Sequence, residues 1–359
     1  MTTTSATSRT PSVALQNAIA QFDPAATRGY LGAASIGIPT RETVDAQLAD
    51  IESWRSARLS PGDYDAVIDR TRRHYASLVG VDVERVAMGS QTSVMVSLFC
   101  AAVPTGAEVL CIDGDFSSVI FPFLQRPDIR VRCVPVEELA SEITEETWLV
   151  AFSFAQSATG VIADVDAIVA AAARVGAYTL CDTTQAAGVH PIDASIFDAT
   201  VCHAYKWLCS PRGVAFMTIN ESVGQHLTPL QAGWYAGDEV WESCYGPDMH
   251  LSPSARRFDV SPAWPAWVGA EPAIRMFASL DLAEVWAYAS GLGDALCDAL
   301  GIPQQHQAIV TWLDPSGSDL KRLTDAGVTV SGRAGRLRAA FHLWNDQSDV
   351  DAVVAALGR

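Results

Sequence analysis

Residues 178–219 read YTLCDTTQAAGVHPIDASIFDATVCHAYKWLCSPRGVAFMTI, and this stretch constrains the fold more than any other part of the chain. An apolar run over 177–181 has the length and character of a buried parallel strand, and it ends on Asp182. A second run, 199–202, leads directly into His203, Tyr205 and Lys206. The Pro211-Arg212-Gly213 turn then opens a third run over 214–219. Two buried strands therefore bring polar groups to one sheet edge, where α/β folds place their ligands. One strand offers a carboxylate and the other an amine.

That pair suits pyridoxal phosphate. The cofactor needs a lysine to hold it as a Schiff base and a carboxylate to keep its pyridine nitrogen protonated, so that the ring can act as an electron sink. Lysine fits the first role because its amine gives up its proton when desolvated or placed beside another cation. A strand-end acid and a surface lysine would give the same pair with no such meaning, so the flanking residues have to decide.

The run Asp182-x-x-Gln185-Ala186-x-Gly188-x-x-Pro191-x-Asp193, followed by Lys206 and Pro211-x-Gly213, resembles the signature of the class V aminotransferases. That superfamily includes cysteine desulfurases, kynureninase, isopenicillin N epimerase and C–S lyases. The resemblance implies an α/β fold of the fold-type I pyridoxal-phosphate class: a mostly parallel central sheet with helices on both faces, plus a smaller α+β C-terminal domain. It also implies that Lys206 is the Schiff-base lysine, that Asp182 is the pyridinium partner, and that Gln185 bonds the cofactor's phenolic oxygen. His203 and Tyr205 stand where the family usually places a phosphate-binding Ser and His. Both are departures that keep hydrogen-bonding capacity.

Around this centre, strand and helix patterns alternate from 85 to 219, as in a sheet covered on both faces. Upstream, helices are predicted over 13–22, 40–58 and 64–79, the last with an N-cap after the Ser60-Pro61-Gly62-Asp63 turn. The Gly-rich segment 29–39 resembles the family segment that crosses into the active site, which brings Ala34 and Ser35 to the substrate. The turn Gly89-Ser90-Gln91-Thr92-Ser93 precedes an apolar helix over 94–103. A helix N-terminus with free N–H groups and hydroxyls is a good phosphate cradle, so Ser90, Gln91 and Thr92 are the phosphate candidates. Phe116 falls where many relatives carry a ring-stacking His; it can stack on the cofactor but cannot move a proton. Gln156 occupies the place of a family Asn near the substrate carboxylate. Further strands are predicted over 108–112, 131–136 and 148–154, an acidic helix over 136–145 and an Ala-rich helix over 164–174.

Beyond the lysine, residues 256–262 resemble a family turn that reaches the neighbouring subunit's cofactor phosphate, with Ser261 in place of Thr. This implies a homodimer with a shared active site. A long helix is predicted over 270–286, followed by a strand over 308–313, a helix over 318–326 and a strand over 328–331. The segment 332–345 resembles the family strand whose arginine binds the substrate α-carboxylate. Arg338 matches that position, with Arg333 and Arg336 as rivals, and a guanidinium fork suits a carboxylate. A helix over 349–357 closes the chain. Residues 1–12 are expected to be a disordered lead, 13–250 a large cofactor-binding domain whose N-terminal segment packs on the smaller one, and 251–359 that smaller domain.

Composition narrows the partners. With 24 basic and 41 acidic residues, the net charge of −17 argues against nucleic acid and anionic membrane surfaces. No apolar run reaches roughly 18 residues, so no spanning helix is expected. The eight scattered cysteines form no C-x-x-C pair, which points to no metal site and to free thiols in a reducing compartment, the cytoplasm. No G-x-G-x-x-G opens a helix, which removes the main support for a nicotinamide enzyme. The expected substrate is a small molecule, an amino acid. A cysteine desulfurase carries a nucleophilic Cys shortly before its carboxylate-binding Arg, whereas here the last cysteine is Cys297. The reading is therefore a C–S lyase or related β-elimination. Transamination, epimerisation and kynureninase-like hydrolysis are the alternatives within the family, and a non-catalytic relative of the same fold is the alternative outside it.

Overall fold

A computed structural model describes residues 11–333 and 335–359, without the side chain of Arg333. The first ten residues of the expected disordered lead, and the side chain of one rival arginine, lie outside the described residues. Seven segments, all but the edge strand β3 largely apolar and buried, form one sheet: β1 (Val86–Gly89), β2 (Glu108–Ile112), β3 (Arg130–Val134), β4 (Thr147–Ser153), β5 (Tyr178–Asp182), β6 (Ala199–His203) and β7 (Ala215–Ile219). Their order is β1-β7-β6-β5-β4-β2-β3. The β2–β3, β2–β4, β4–β5 and β5–β6 pairings are parallel, and only β7 runs against its neighbours. The C-terminal ends of β1, β2, β4, β5 and β6 therefore share one edge. Separate apolar clusters pack on the two faces of the sheet, as near-continuous apolar strands require.

Local signals set most helix boundaries. Asp164 caps helix Val165–Val175 by accepting from Ala167 N, and Gly176, at φ +75°, ends it in the left-handed conformation that glycine tolerates best. Helix Pro61–Leu78 begins three residues before its predicted start. Ser60 is the N-cap, Pro61 occupies the first turn, and Asp63 closes the capping box from N3. Three predictions fail, one of them the strand expected over 328–331, where the observed strand is Ser331–Arg333. The acidic stretch 136–145 forms only the short turn Val136–Glu138. Its carboxylates repel one another along any helix, and Arg132 bonds both the side chain and the carbonyl of Glu142 instead. The single helix predicted over 270–286 is two, Trp264–Ala278 and Leu282–Leu300, because Asp281 caps a new N-terminus through Ala283 N.

A second sheet holds β8 (Ile309–Leu313), β9 (Ser331–Arg333) and β10 (Arg336–Ala340), all antiparallel in the order β8-β10-β9. It has its own apolar cluster, including Leu296, Val310, Leu337 and Phe341. The N-terminal segment runs beside it: Leu31 N donates to Thr329 O, and Ala340 N donates to Leu31 O, both at 2.9 Å. Helix Trp264–Ala278 packs instead on helices Arg41–Arg55 and Pro61–Leu78. No helix among the described residues is long and apolar enough to cross a membrane.

Candidate active site

The shared strand edge opens into a cavity of about 170 Å³ lined by residues at or just beyond the ends of β1, β2, β4, β5 and β6. Asp182 closes β5 and is 5% exposed. Its Oδ1 accepts from Thr184 N at 2.9 Å. Burial pushes its carboxyl up to about 6, against the opposing pull of the Thr184 bonds and the Lys206 charge. Lys206 follows β6 and is 4% exposed. Burial draws its amine down to about 8; Asp182 opposes this, while the Arg338 and Arg212 charges add to it. Its Nζ lies 5.0 Å from the Phe116 ring centre. The chain has only two lysines; the other, Lys321, pairs with Asp325 on the surface.

The lysine loop is held from several sides. Gly37 N donates to Tyr205 O at 2.8 Å. A Cβ at Gly37 would lie 1.9 Å from Lys206 O, so no other residue fits there without moving the loop. Gly188, at φ +98°, would place a Cβ 2.6 Å from Trp207 O. His342 Nε2 lies 2.8 Å from the same carbonyl, and burial takes this imidazole down to about 4, so it is neutral. Such supports fix a reactive side chain's position before any ligand arrives.

At one end the cavity is built for an anion. Gln91, Thr92 and Ser93 line it at the start of helix Thr92–Ala102, whose N-terminus has no side-chain cap. Its free N–H groups and dipole favour a negative group. Ser90, a predicted phosphate ligand, does not line the cavity, whereas Ser93 does. His203, 7% exposed, also lines it, and its Nε2 has no hydrogen-bond partner. Burial and the Arg212 charge lower this imidazole to about 4. Tyr205 lines the cavity with the Arg212 guanidinium 4.6 Å over its ring. No acidic side chain pairs with Arg212 among the described residues. An uncapped helix end, an orphaned imidazole nitrogen and a cation without a counter-ion are the donors a phosphate monoester needs. With Asp182 and Lys206 beside them, the residues fit pyridoxal phosphate.

Behind the lining residue Ser157 stands Arg338, which is 3% exposed on β10 and does not itself line the cavity. It donates to Ser35 Oγ at 2.8 Å, to Ser157 O at 2.5 Å and Oγ at 3.0 Å, and to Ser331 Oγ at 3.3 Å. Arg336 bonds Thr311 on the neighbouring strand instead. Gln156 is turned away: its Nε2 donates to Asp113 O at 2.9 Å and its Oε1 accepts from Thr159, leaving Ser157 to line the cavity. Gln185 lines it too, bonded to Ala34 O and Ser157 Oγ and accepting from Trp207 Nε1. Ser261 is exposed, accepts from Trp234 Nε1 at 3.3 Å and is not part of this chain's cavity.

Sequence reasoning missed Ser93, Ser118, Ser153, Ser157, Thr184 and Arg212, all of which line the cavity. Arg212 carried a signal, as the only charge in the turn that follows the lysine. The serines carried none, since short hydroxyl residues populate every strand-end turn.

Comparison with known proteins agrees with this arrangement. Residues 94–313 match the family Aminotransferase class-V. A kynureninase of Deinococcus radiodurans is 28% identical over 286 residues, covering 73% of this chain and 68% of its own. An isopenicillin N epimerase of Amycolatopsis lactamdurans is 28% identical over 240 residues, covering 59% and 58%. Among solved structures, the cystine C–S lyase C-DES with cysteine persulfide superposes with a TM-score of 0.84 at 18% identity, covering 92% of this chain and 97% of that one. The cysteine desulfurase CsdA of Escherichia coli gives 0.82 at 19%, covering 96% and 98%. With more than half its length matched, and with a cavity suited to the cofactor, the chain belongs to the class-V aminotransferases, a family of pyridoxal-phosphate-dependent enzymes.

Proposed function

We propose that the protein cleaves a C–S bond of an amino-acid substrate by β-elimination. The observation that supports this reading most is the absence of a thiol from an otherwise equipped cavity. All eight cysteines lie among the described residues, and none lines it. Cys181, Cys202 and Cys209, on the elements that frame it, are buried, and burial pushes their thiols up, which makes them poor nucleophiles. Persulfide chemistry needs a cysteine there; an elimination needs only a base. The likeness to a cystine C–S lyase supports the same reading.

The cofactor, when bound, supplies the electron sink. In this reading the chain does the rest. Arg338 takes the substrate carboxylate by exchanging its bonds to Ser157 and Ser35 for it. Lys206 Nζ removes the α-proton, helped by its lowered basicity near neutral pH. Asp182 keeps the proton on the ring nitrogen. Phe116 covers the ring beside Lys206. Thr92, Ser93, His203, Tyr205 and Arg212 hold the phosphate. Gln185 Nε2 reaches the phenolic oxygen by releasing Ser157. Ser261 completes the cofactor site of a second copy in a homodimer. The division into a large unit over 13–250 and a small one over 251–359, and a cytoplasmic location, belong to the same reading.

A panel of cysteine, cystine, cysteine conjugates and kynurenine tests the reaction. Pyruvate, ammonia and released thiol should appear in equal amounts from a sulfur substrate. Alanine with transferred sulfur would replace elimination by desulfuration. Racemised substrate, an amino-acceptor requirement or C–C cleavage of kynurenine would assign the other family reactions.

The carboxylate end has its own test. Arg338→Ala should raise KM for the amino acid roughly ten- to a hundredfold, the loss of a charge-assisted contact worth about 1.5–3 kcal/mol. The amine lacking the carboxylate should react slowly with wild type and equally slowly with the variant. Arg336→Ala should leave KM unchanged, because Arg336 is committed to Thr311. The reverse pattern would move the clamp to Arg336.

A further inference from the structure

Away from the cavity, the sheet edge brings two cysteines together. β2 and β3 run parallel, and their register sets Cys111 beside Cys133. In-register residues on such strands project to one face at a spacing of about 4.8 Å. That lies within the Cα separation a disulfide spans, about 4.4–6.8 Å. No other two cysteines are strand partners among the described residues. Their surroundings differ sharply. Cys111 is fully buried in the apolar cluster that includes Val119 and Phe123, whereas Cys133 is exposed on the edge strand.

We propose that Cys111 and Cys133 form a reversible modification site that a hydroperoxide closes to a disulfide. The Cys133 thiolate attacks a peroxide oxygen: an S–O bond forms, the O–O bond breaks, and the departing oxygen takes a proton and leaves as water or alcohol. The Cys111 thiol then attacks the resulting sulfenic acid. An S–S bond forms, the S–O bond breaks, and the oxygen leaves as water with the thiol's proton. The pair loses two electrons and two protons, and the peroxide gains them. A dithiol reductant reverses the change.

The division of labour follows from the environment. The neighbouring Cys111 thiol holds the Cys133 thiol below the ordinary range, against burial and the Asp113 and Asp115 charges. The Cys133 neighbour, with burial, pushes Cys111 up. Cys133 is thus the accessible nucleophile and Cys111 the protected resolving thiol. A bridge between adjacent strands departs from relaxed disulfide geometry, which makes it readily reducible. It also sits two residues before Asp113, at the foot of the turn that carries Phe116 to Lys206.

The protein purified with its cofactor is treated with a few equivalents of hydrogen peroxide, alkylated under denaturing conditions and digested. The peptides containing Cys111 and Cys133 should be recovered as one cross-linked species, two hydrogens lighter than the dithiol, and dithiothreitol should restore both. Cys111→Ser should stop at a Cys133 sulfenic acid that dimedone captures. Cys133→Ser should leave Cys111 reduced. The proposal is overturned if Cys133 goes on to sulfinic acid with Cys111 still free. It is equally overturned if Cys133 joins any thiol other than Cys111, or reacts no faster than the half-buried Cys244.

Discussion

Lys206→Ala folds and binds the cofactor without a covalent bond, and its turnover of any amino acid falls by at least about a thousandfold. Loss of the general base alone costs on the order of 10²–10⁴ in rate, and the covalent anchor goes with it. Folding should survive because the amine contributes little to it. It is buried against its own preference, and the loop is held by Gly37, Gly188, Trp207 and His342. Borohydride reduction followed by peptide mass analysis reads the anchor directly. Wild type should carry the cofactor on the Lys206 peptide, and the variant should carry none. The only other lysine, Lys321, is exposed and paired with Asp325, so no second amine can substitute. Turnover within tenfold of wild type, or cofactor found on Lys321, would remove Lys206 from its role.

Asp182→Asn should lose turnover by orders of magnitude while making the cofactor-free protein more stable near neutral pH. The two effects share one cause. The carboxylate sits where burial opposes its charge, and it is useful only when a protonated ring nitrogen faces it. Its pKa rises from 3.8 to about 6 on folding. Between those values the folded protein binds the proton that the unfolded chain releases, so this group's stabilising contribution is complete below about 4 and lost as pH climbs through about 6. The full difference is on the order of 3 kcal/mol. Asn does not titrate. The stability advantage of the variant should therefore be absent near pH 4, grow through the window and level off above it, as read by denaturant melts of cofactor-free protein. A variant with normal activity, or a stability gap that does not change with pH, would take Asp182 out of the ring-nitrogen site.

Much of the fold could be read along the chain because its determinants are local. The buried strands are apolar runs four to seven residues long, and the predicted run at 108–112 coincides with β2. The central helix after β4 is bracketed by Asp164 and Gly176, each of which acts on its own backbone. Where the reading failed, the competing force lay elsewhere in the chain. Glu142 left its expected helix for Arg132, and Asp281 restarted a helix that apolar periodicity alone would have continued. The reversed direction of β7 could not be read from its sequence, since an apolar run buried on both faces is the same in either direction.

The site divides in the same way. Asp182 and Lys206 were legible because each stands at the end of a buried strand, and strand ends meet at one edge whatever the rest of the chain does. Which neighbouring side chain faces the cavity is not a local property. Gln156 points away because Asp113 O captures its amide across the strand end, and Ser157 takes the inward place. Ser90 and Ser93 are equally plausible beside a helix start, and only the helix's orientation puts Ser93 on the inside. Folding leaves Arg212 without a counter-ion and His203 Nε2 without a hydrogen-bond partner, which is what suits them to an anion in the proposed reading. The sequence by itself determined which backbone ends converge, because burial of apolar strands is decided within a few residues. The tertiary structure alone decided which polar groups remain unsatisfied at that point, because satisfaction depends on partners far away along the chain.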